Sequence, residues 1–172
     1  MLKNLLYISA LFIITGCSST SYIQDGQYSS KTHNEVIKHG ELTNSERNEI
    51  VATAKLMLNT KYKYGGKKPD FGVDCSGFVT YVFKTSIDYK ITGAARHMAK
   101  IGKTIPKSHT FENKLAIGDL LFFNTTGKSF SHVGIYIGDG KFIHASSGRG
   151  RVIITDVNQT YYKKRLELVK RL

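Results

Sequence analysis

Two cysteines, Cys17 and Cys75, are all that 172 residues offer for a disulfide, and their settings differ so much that separate tasks fit better than a bridge. No apolar run is long enough to cross a bilayer. The longest, Leu5–Ile14, covers ten positions and is broken by Ser9, whereas a span of about 30 Å needs about twenty residues. Acidic residues are scarce, 13 against 25 Lys and Arg, and the resulting formal charge of +12 favours anionic partners such as nucleic acid, a membrane surface or an anionic envelope polymer. Nucleic-acid recognition is not indicated, because the basic residues are scattered apart from Lys163-Lys164-Arg165 and Lys170-Arg171. No zinc-finger spacing, RNA-binding aromatic signature or basic recognition helix accompanies them. Internal repeats and long low-complexity tracts are missing too. The length suits one domain, and 41% hydrophobic content is enough to bury a core.

The N-terminus reads as an address. Lys3 supplies a short positive region ahead of the apolar stretch, the arrangement of a cleavable secretory signal. Ile14-Thr15-Gly16-Cys17 resembles the bacterial lipobox, with isoleucine where leucine is usual. The resemblance implies a signal peptide over 1–16 and a mature chain that starts on a lipid-bearing Cys17. It also implies that Cys75 has no disulfide partner. Ser18 after that cysteine implies sorting to the outer membrane, facing the periplasm. Residues 17–43 are polar with little periodicity and read as a tether. The globular domain is then 44–172.

Thr43-Asn44-Ser45-Glu46 has the form of a capping box, and Ile50, Ala54, Met57 and Leu58 recur at helical spacing, which predicts a helix over 45–59. Tyr62-Lys63-Tyr64-Gly65-Gly66 marks a loop. In Gly72-Val73-Asp74-Cys75-Ser76-Gly77-Phe78-Val79, apolar Phe78, Val79, Val82 and Phe83 predict a helix that begins at or just after Cys75. The positive end of a helix stabilises a thiolate, so this placement is expected to lower the thiol pKa, and the free N–H groups there could hold an oxyanion. A small buried cysteine is the plain alternative. After a less regular stretch over about 87–114 come strand candidates at 120–123, 132–137, 141–144, 152–155 and 166–169. Asp119 ahead of the first of these reads as a turn residue. Helices first and strands afterwards predict an α+β fold with a central antiparallel sheet.

Gly138-Asp139-Gly140 is a hairpin signal. If it is a three-residue loop, Ile137 pairs with Lys141 and Gly134 faces His144. His132 and His144 then share a face, diagonal to each other. A two-residue loop would put them on opposite faces. Cysteine at a helix start, His132 on a strand and His144 on its partner fit the logic of nucleophile, base and orienting group. The remaining histidines, His33, His39, His97 and His109, have no such setting and read as surface residues.

The blocks YKYGG, DCSGFV, GDLLFF, SHVGIYIG and FIHAS, in that order over about 44–172, resemble the NlpC family of cell-wall cysteine peptidases. The resemblance implies a papain-like fold and hydrolysis of peptidoglycan stem peptides, usually between γ-linked D-glutamate and the following diamino acid. It places the nucleophile on Cys75, the base on His132 and the orienting residue on His144. Tyr62 matches a tyrosine that supports the oxyanion site, Ser76 a residue implicated in binding the stem peptide, and Asp74 flanks the nucleophile. Relatives often carry a Pro-Arg pair where Ile91-Thr92-Gly93 stands, a departure that leaves the core mechanism intact and bears on the exact substrate contacts. No cofactor or metal is implied, the expected partners are stem peptides and a membrane reached through the Cys17 lipid, and a monomer is expected. A zinc site on Cys75, His132 and His144 has suitable ligand types but lacks a C-x-x-C or H-x-x-x-H pair. Acyl transfer to lipid by a related fold runs histidine before cysteine, the reverse of the order here. The remaining alternative is a catalytically inactive, wall-binding lipoprotein on the same fold.

Overall fold

The structure, a computed structural model, describes residues 41–106 and 114–172. The signal segment, Cys17 and most of the tether lie outside the described residues, as do His33, His39 and His109.

Helix α1 spans Asn44–Leu56. Its capping box is complete: the Glu46 N–H donates to Thr43 Oγ1 at 3.2 Å and the Thr43 N–H donates to Glu46 Oε2 at 2.7 Å. The helix ends three residues earlier than the periodicity predicts, because Met57 to Thr60 close into turns and Asn59 takes a positive φ of 68°. Two short strands follow, β1 (Lys67–Lys68) and β2 (Gly72–Val73), paired antiparallel around a single 3₁₀ turn. Helix α2 (Cys75–Ile87) begins at the cysteine and turns Phe78, Val79, Val82 and Phe83 fully inward. A helical turn, α3 (Ala95–Met98), and strand β3 (Lys103–Thr104) lead to the strands β4 (Leu120–Phe123), β5 (His132–Gly138), β6 (Lys141–Ser146) and β7 (Arg151–Asp156). A second helical turn, α4 (Thr160–Lys163), precedes β8 (Leu166–Arg171).

Six strands form one antiparallel sheet in the order β3-β8-β4-β5-β6-β7. Strands β4 to β6 are buried on both faces over most of their length, and β4 accordingly reads as an unbroken apolar run, whereas β5 and β6 carry His132 and His144 inside. On one face Leu120, Phe122, Val133, Ile135 and Ile143 pack under α1 and α2. On the other, Leu121, Phe123, Tyr136, Phe142 and Val169 form a smaller core.

The hairpin between β5 and β6 differs from the expected loop, yet arrives at the expected register. Gly138 pairs with Lys141, so the loop itself is the two residues Asp139 and Gly140, both with positive φ. Ile137 is then an extra residue on β5, a one-residue bulge, and beyond it Tyr136 pairs with Phe142 and Ile135 with Ile143. The bulge supplies the odd residue that a three-residue loop would have supplied.

Asp119 does more than the turn role expected of it. Its carboxylate is fully buried and accepts the Ala116 N–H at 2.9 Å. It also takes two 2.8 Å bonds from the Arg171 guanidinium and lies 3.7 Å from Arg47. Arg47, itself buried, donates to the carbonyls of Leu42, Ile117 and Leu172. The cluster joins α1, the entry to β4 and the C-terminal strand. Removing its only carboxylate strands a buried cation, so Asp119→Ala is expected to cost about 3–5 kcal/mol of unfolding free energy in urea titration. A loss under about 1 kcal/mol would show that the cluster is solvated.

Candidate active site

The site forms where the start of α2 meets the start of β5. Asp74 caps α2 and fastens the preceding loop to it. Oδ1 accepts the Gly77 N–H at 2.7 Å and the Ser76 hydroxyl at 2.9 Å, while Oδ2 accepts the Gly65 N–H at 3.0 Å. The two glycine-bearing blocks touch through backbone. A Cβ on Gly77 would stand 2.0 Å from the Gly66 carbonyl oxygen, so only glycine lets the helix approach the loop this closely. Ser76 and Asp74 are thus tied into the cap, with the Ser76 hydroxyl donating its proton to Asp74.

Cys75, the first helical residue, is partly exposed and packs against the main core. Burial pushes its thiol up to about 11, and the Asp74 carboxylate adds to the rise. The backbone N–H groups of Val133, Ser76 and Cys75 pull the other way without reversing it. The expectation of a lowered thiol pKa from the helix end is therefore corrected: desolvation outweighs the amide donors, and the resting group is a thiol. Val133 is the residue after His132, so its amide ties the sulfur to the start of β5.

His132 is buried, and burial lowers its imidazolium to about 4, with Asp74 opposing the shift. Its Nε2 lies 2.8 Å from His144 Nδ1. Gly134 makes that diagonal possible: a Cβ there would meet the Phe142 ring at 2.6 Å and the His144 Cβ at 3.1 Å. His144 is fully buried, stacked on Phe142 at 4.7 Å and met edge-on by Tyr162. Burial lowers its pKa, and so does His132 beside it. The second ring nitrogen of His144, Nε2, lies 3.1 Å from Thr155 Oγ1. Thr155 went unseen in the sequence. It pairs with Phe142 on β7, and the exposed turn Ser147–Gly150 gives no clue to that register.

Tyr62 is half-buried beside this group. Its phenol is held above its ordinary pKa by burial first and by Cys75 and Asp74 after that. Its N–H donates to the Gly150 carbonyl at 2.8 Å, and it bridges Val73 in parallel. The structure thus brings Tyr62, Asp74, Cys75, Ser76, His132 and His144 into one neighbourhood, whereas His97 stands exposed on α3. Among the described residues no three His, Cys, Asp or Glu side chains converge as metal ligands do.

A helix-borne thiol and a strand-borne imidazole on a sheet of this topology define a papain-like α+β protein. The chain belongs to the NlpC/P60 family, whose model matches residues 59–171. It is 37% identical over 112 residues to the murein DD-endopeptidase MepS/murein LD-carboxypeptidase of Escherichia coli K12, covering 65% of this chain and 55% of that one. It is also 37% identical over 125 residues to the gamma-D-glutamyl-L-lysine dipeptidyl-peptidase of Bacillus subtilis, covering 72% and 40%. The chain therefore spans about half the length of these curated relatives. Among solved structures, the NlpC/p60 domain of the peptidoglycan hydrolase SagA superposes with a TM-score of 0.60 at 31% identity, covering 73% of this chain and 98% of that one. A Bacillus cereus NlpC/P60 family protein gives a TM-score of 0.65 at 28% identity, covering 77% and 41%.

The raised thiol and lowered imidazolium pKa values leave a neutral pair at pH 7. Alkylation of the free protein by iodoacetamide should accelerate about tenfold per pH unit from 7 toward a limit near 11, tracking the thiolate fraction. A rate already flat from pH 6 upward would establish a preformed thiolate–imidazolium pair instead.

Proposed function

We propose that this chain is a peptidoglycan endopeptidase that hydrolyses stem-peptide bonds, with the bond after γ-linked D-glutamate as its target, through Cys75, His132 and His144. The observation that carries the reading is the 2.8 Å contact between His132 Nε2 and His144 Nδ1, with the Val133 amide at the Cys75 sulfur. That contact commits Nε2 of His132 to His144 and leaves Nδ1 as the nitrogen free to act as base. For Nδ1 to accept a proton, Nε2 must carry one and donate it to His144 Nδ1. His144 must then carry its own proton on Nε2 and donate to Thr155 Oγ1. Of the two directions in which the row can be hydrogen-bonded, this is the one that leaves His132 Nδ1 able to accept a proton.

The chemistry follows. His132 Nδ1 takes the thiol proton as sulfur attacks the amide carbonyl, and the tetrahedral oxyanion meets backbone N–H groups at the start of α2 and the Tyr62 hydroxyl. The C–N bond breaks as imidazolium returns the proton to the leaving amine. Water, deprotonated by the same imidazole, then cleaves the thioester and restores the thiol. Proton transfer within a neutral pair suits a site too desolvated to hold a standing ion pair.

Names carried by the relatives support the substrate class: a murein endopeptidase and a gamma-D-glutamyl-L-lysine dipeptidyl-peptidase. We place the chain in the bacterial envelope, with residues 1–16 as signal, lipid on Cys17, 17–43 as tether and 44–172 as the peptidase domain. The lipid would hold the enzyme at the outer membrane, facing its polymer.

Digestion of purified muropeptides, read by mass spectrometry, tests the reading. Wild type is expected to yield new termini at the stem peptide, and Cys75→Ala none; silence from wild type would overturn it. Thr155→Val, which keeps shape but loses the hydroxyl, should lower kcat about tenfold with KM unchanged, and Thr155→Ser should recover most of the loss. Equal kcat in the Val and Ser variants would remove Thr155 from the relay.

A further inference from the structure

His132 is the first residue of β5, and its pairing with Phe123 is the last rung of the β4–β5 ladder. The end of a ladder opens more readily than its middle. Yet this end carries the imidazole and, one residue on, the Val133 amide that meets the Cys75 sulfur. The loop before it, residues 124–131, has no helix or strand of its own. Among the described residues its one backbone–backbone hydrogen bond runs from the Asn124 N–H to the Arg165 carbonyl, at 2.9 Å. Side chains must hold the rest.

Two of them do so. Ser131 Oγ accepts the N–H groups of Thr125 at 2.9 Å and Thr126 at 3.3 Å, which closes the loop on itself. Glu167 ties it to the neighbouring strand. Oε2 accepts the Phe130 N–H at 2.7 Å, and Oε1 accepts the Ser129 hydroxyl at 3.2 Å and the Asn124 amide at 3.3 Å. One carboxylate therefore grips both ends of the loop. Its placement comes from an irregularity in β8: Phe122 pairs with Leu168 and Phe123 with Leu166, so Glu167 is an extra residue opposite β4. Acidic residues are scarce in this chain and cations plentiful, yet Glu167 makes no ion pair among the described residues. Both oxygens go to uncharged donors of this loop. Phe130, the recipient of the shortest bond, has a φ of 52°, which a bulky residue keeps only where its surroundings over-determine it. Its ring stands edge-on to Phe122 at 6.4 Å, and the Glu167 bond is the polar half of the same restraint.

We propose that Glu167 is a positioning residue: by clamping the β4–β5 loop at Phe130 it fixes the start of β5, and with it the angle at which His132 meets the Cys75 thiol. As a statement about catalysis the assignment rests on the endopeptidase reading above. Glu167 acts through the backbone, two residues ahead of the base. Proton transfer from sulfur and attack on a carbonyl depend steeply on alignment, and a misplacement of about 1 Å can cost about a hundredfold in rate. With the clamp removed, the left-handed turn at Phe130 relaxes and the last rung of the ladder frays. His132 then spends part of its time out of line with the thiol. The loss falls on the chemical step, because the clamp makes no contact that a bound peptide would gain.

Steady-state muropeptide turnover and NMR of the free protein with nitrogen-labelled histidine test the assignment together. Glu167→Ala should lower kcat about tenfold and leave KM within about twofold of wild type. Glu167→Gln, which keeps one side-chain oxygen for the Phe130 N–H, should recover most of the loss. Glu167→Asp keeps the charge but is one methylene short, and should not. At pH 7 the His132 ring signals should broaden or shift in the Ala and Asp variants and match wild type in the Gln variant. Ring signals unchanged in Glu167→Ala overturn the clamp, as does a loss borne by KM or one that glutamine does not repair. Should the Ala variant fail to fold, the Asp and Gln variants decide by the same criteria. A wild type without turnover would sink the endopeptidase reading, while the ring signals would still decide on Glu167.

Discussion

A single extra residue on β5 determines which side chains can meet. Without the bulge at Ile137, the two-residue turn at Asp139-Gly140 would pair His144 with Ile135 and turn the two histidines to opposite faces. With it, Gly134 stands against His144, and its missing side chain is the gap through which His144 reaches His132. The same parity carries on to β7, where Phe142 pairs with Thr155 and puts that hydroxyl diagonal to His144 on its other side. His132, His144 and Thr155 form one slanting row across three strands, and the row follows from the register. A shift of one residue would lose both contacts together.

The thiol end of the site is built by backbone, and there two physical effects compete. The start of α2 offers amide donors to the sulfur, and the Val133 amide adds a third element of support. Against this, closure of the loop over the helix, through Gly66 on Gly77 and through Asp74 on Gly65, removes water and brings a carboxylate near. Desolvation wins at both partners, since each is more stable neutral in a dry site than charged. Asp74 raises the thiol and also opposes the fall of His132, so the residue that shapes the loop also narrows the gap at one partner while widening it at the other. The outcome is an uncharged thiol beside an uncharged imidazole rather than a standing ion pair.

How much of this the sequence carried depended on range. The capping box at Thr43, the helix beginning at Cys75 and the strands of the central sheet were legible because each is set by neighbours within one or two turns. The shared face of His132 and His144 was legible only conditionally, and the device that delivers it, a bulge, leaves no sign beyond the glycines around Asp139. Thr155 was invisible because the turn at 147–150 admits several registers. The Asp119 cluster was invisible because Arg47 and Arg171 lie 72 and 52 residues away in the chain. The thiol pKa was misjudged for a related reason: a helix terminus can be read locally, whereas burial is a property of the assembled fold.

The charge of the chain takes on a different meaning once these positions are known. An excess of lysine and arginine over a whole surface gives weak, non-specific attraction to an anionic wall and little selectivity. Arg149 and Arg151 are held at the backbone where β6 meets β7 and, like Arg96, make no ion pair with a carboxylate among the described residues. The contrast with Arg47 and Arg171 is instructive, since the fold spends those on a buried aspartate to hold its ends together. Cations left unpaired on a rigid frame lose less entropy in meeting an anion than cations on mobile chains do.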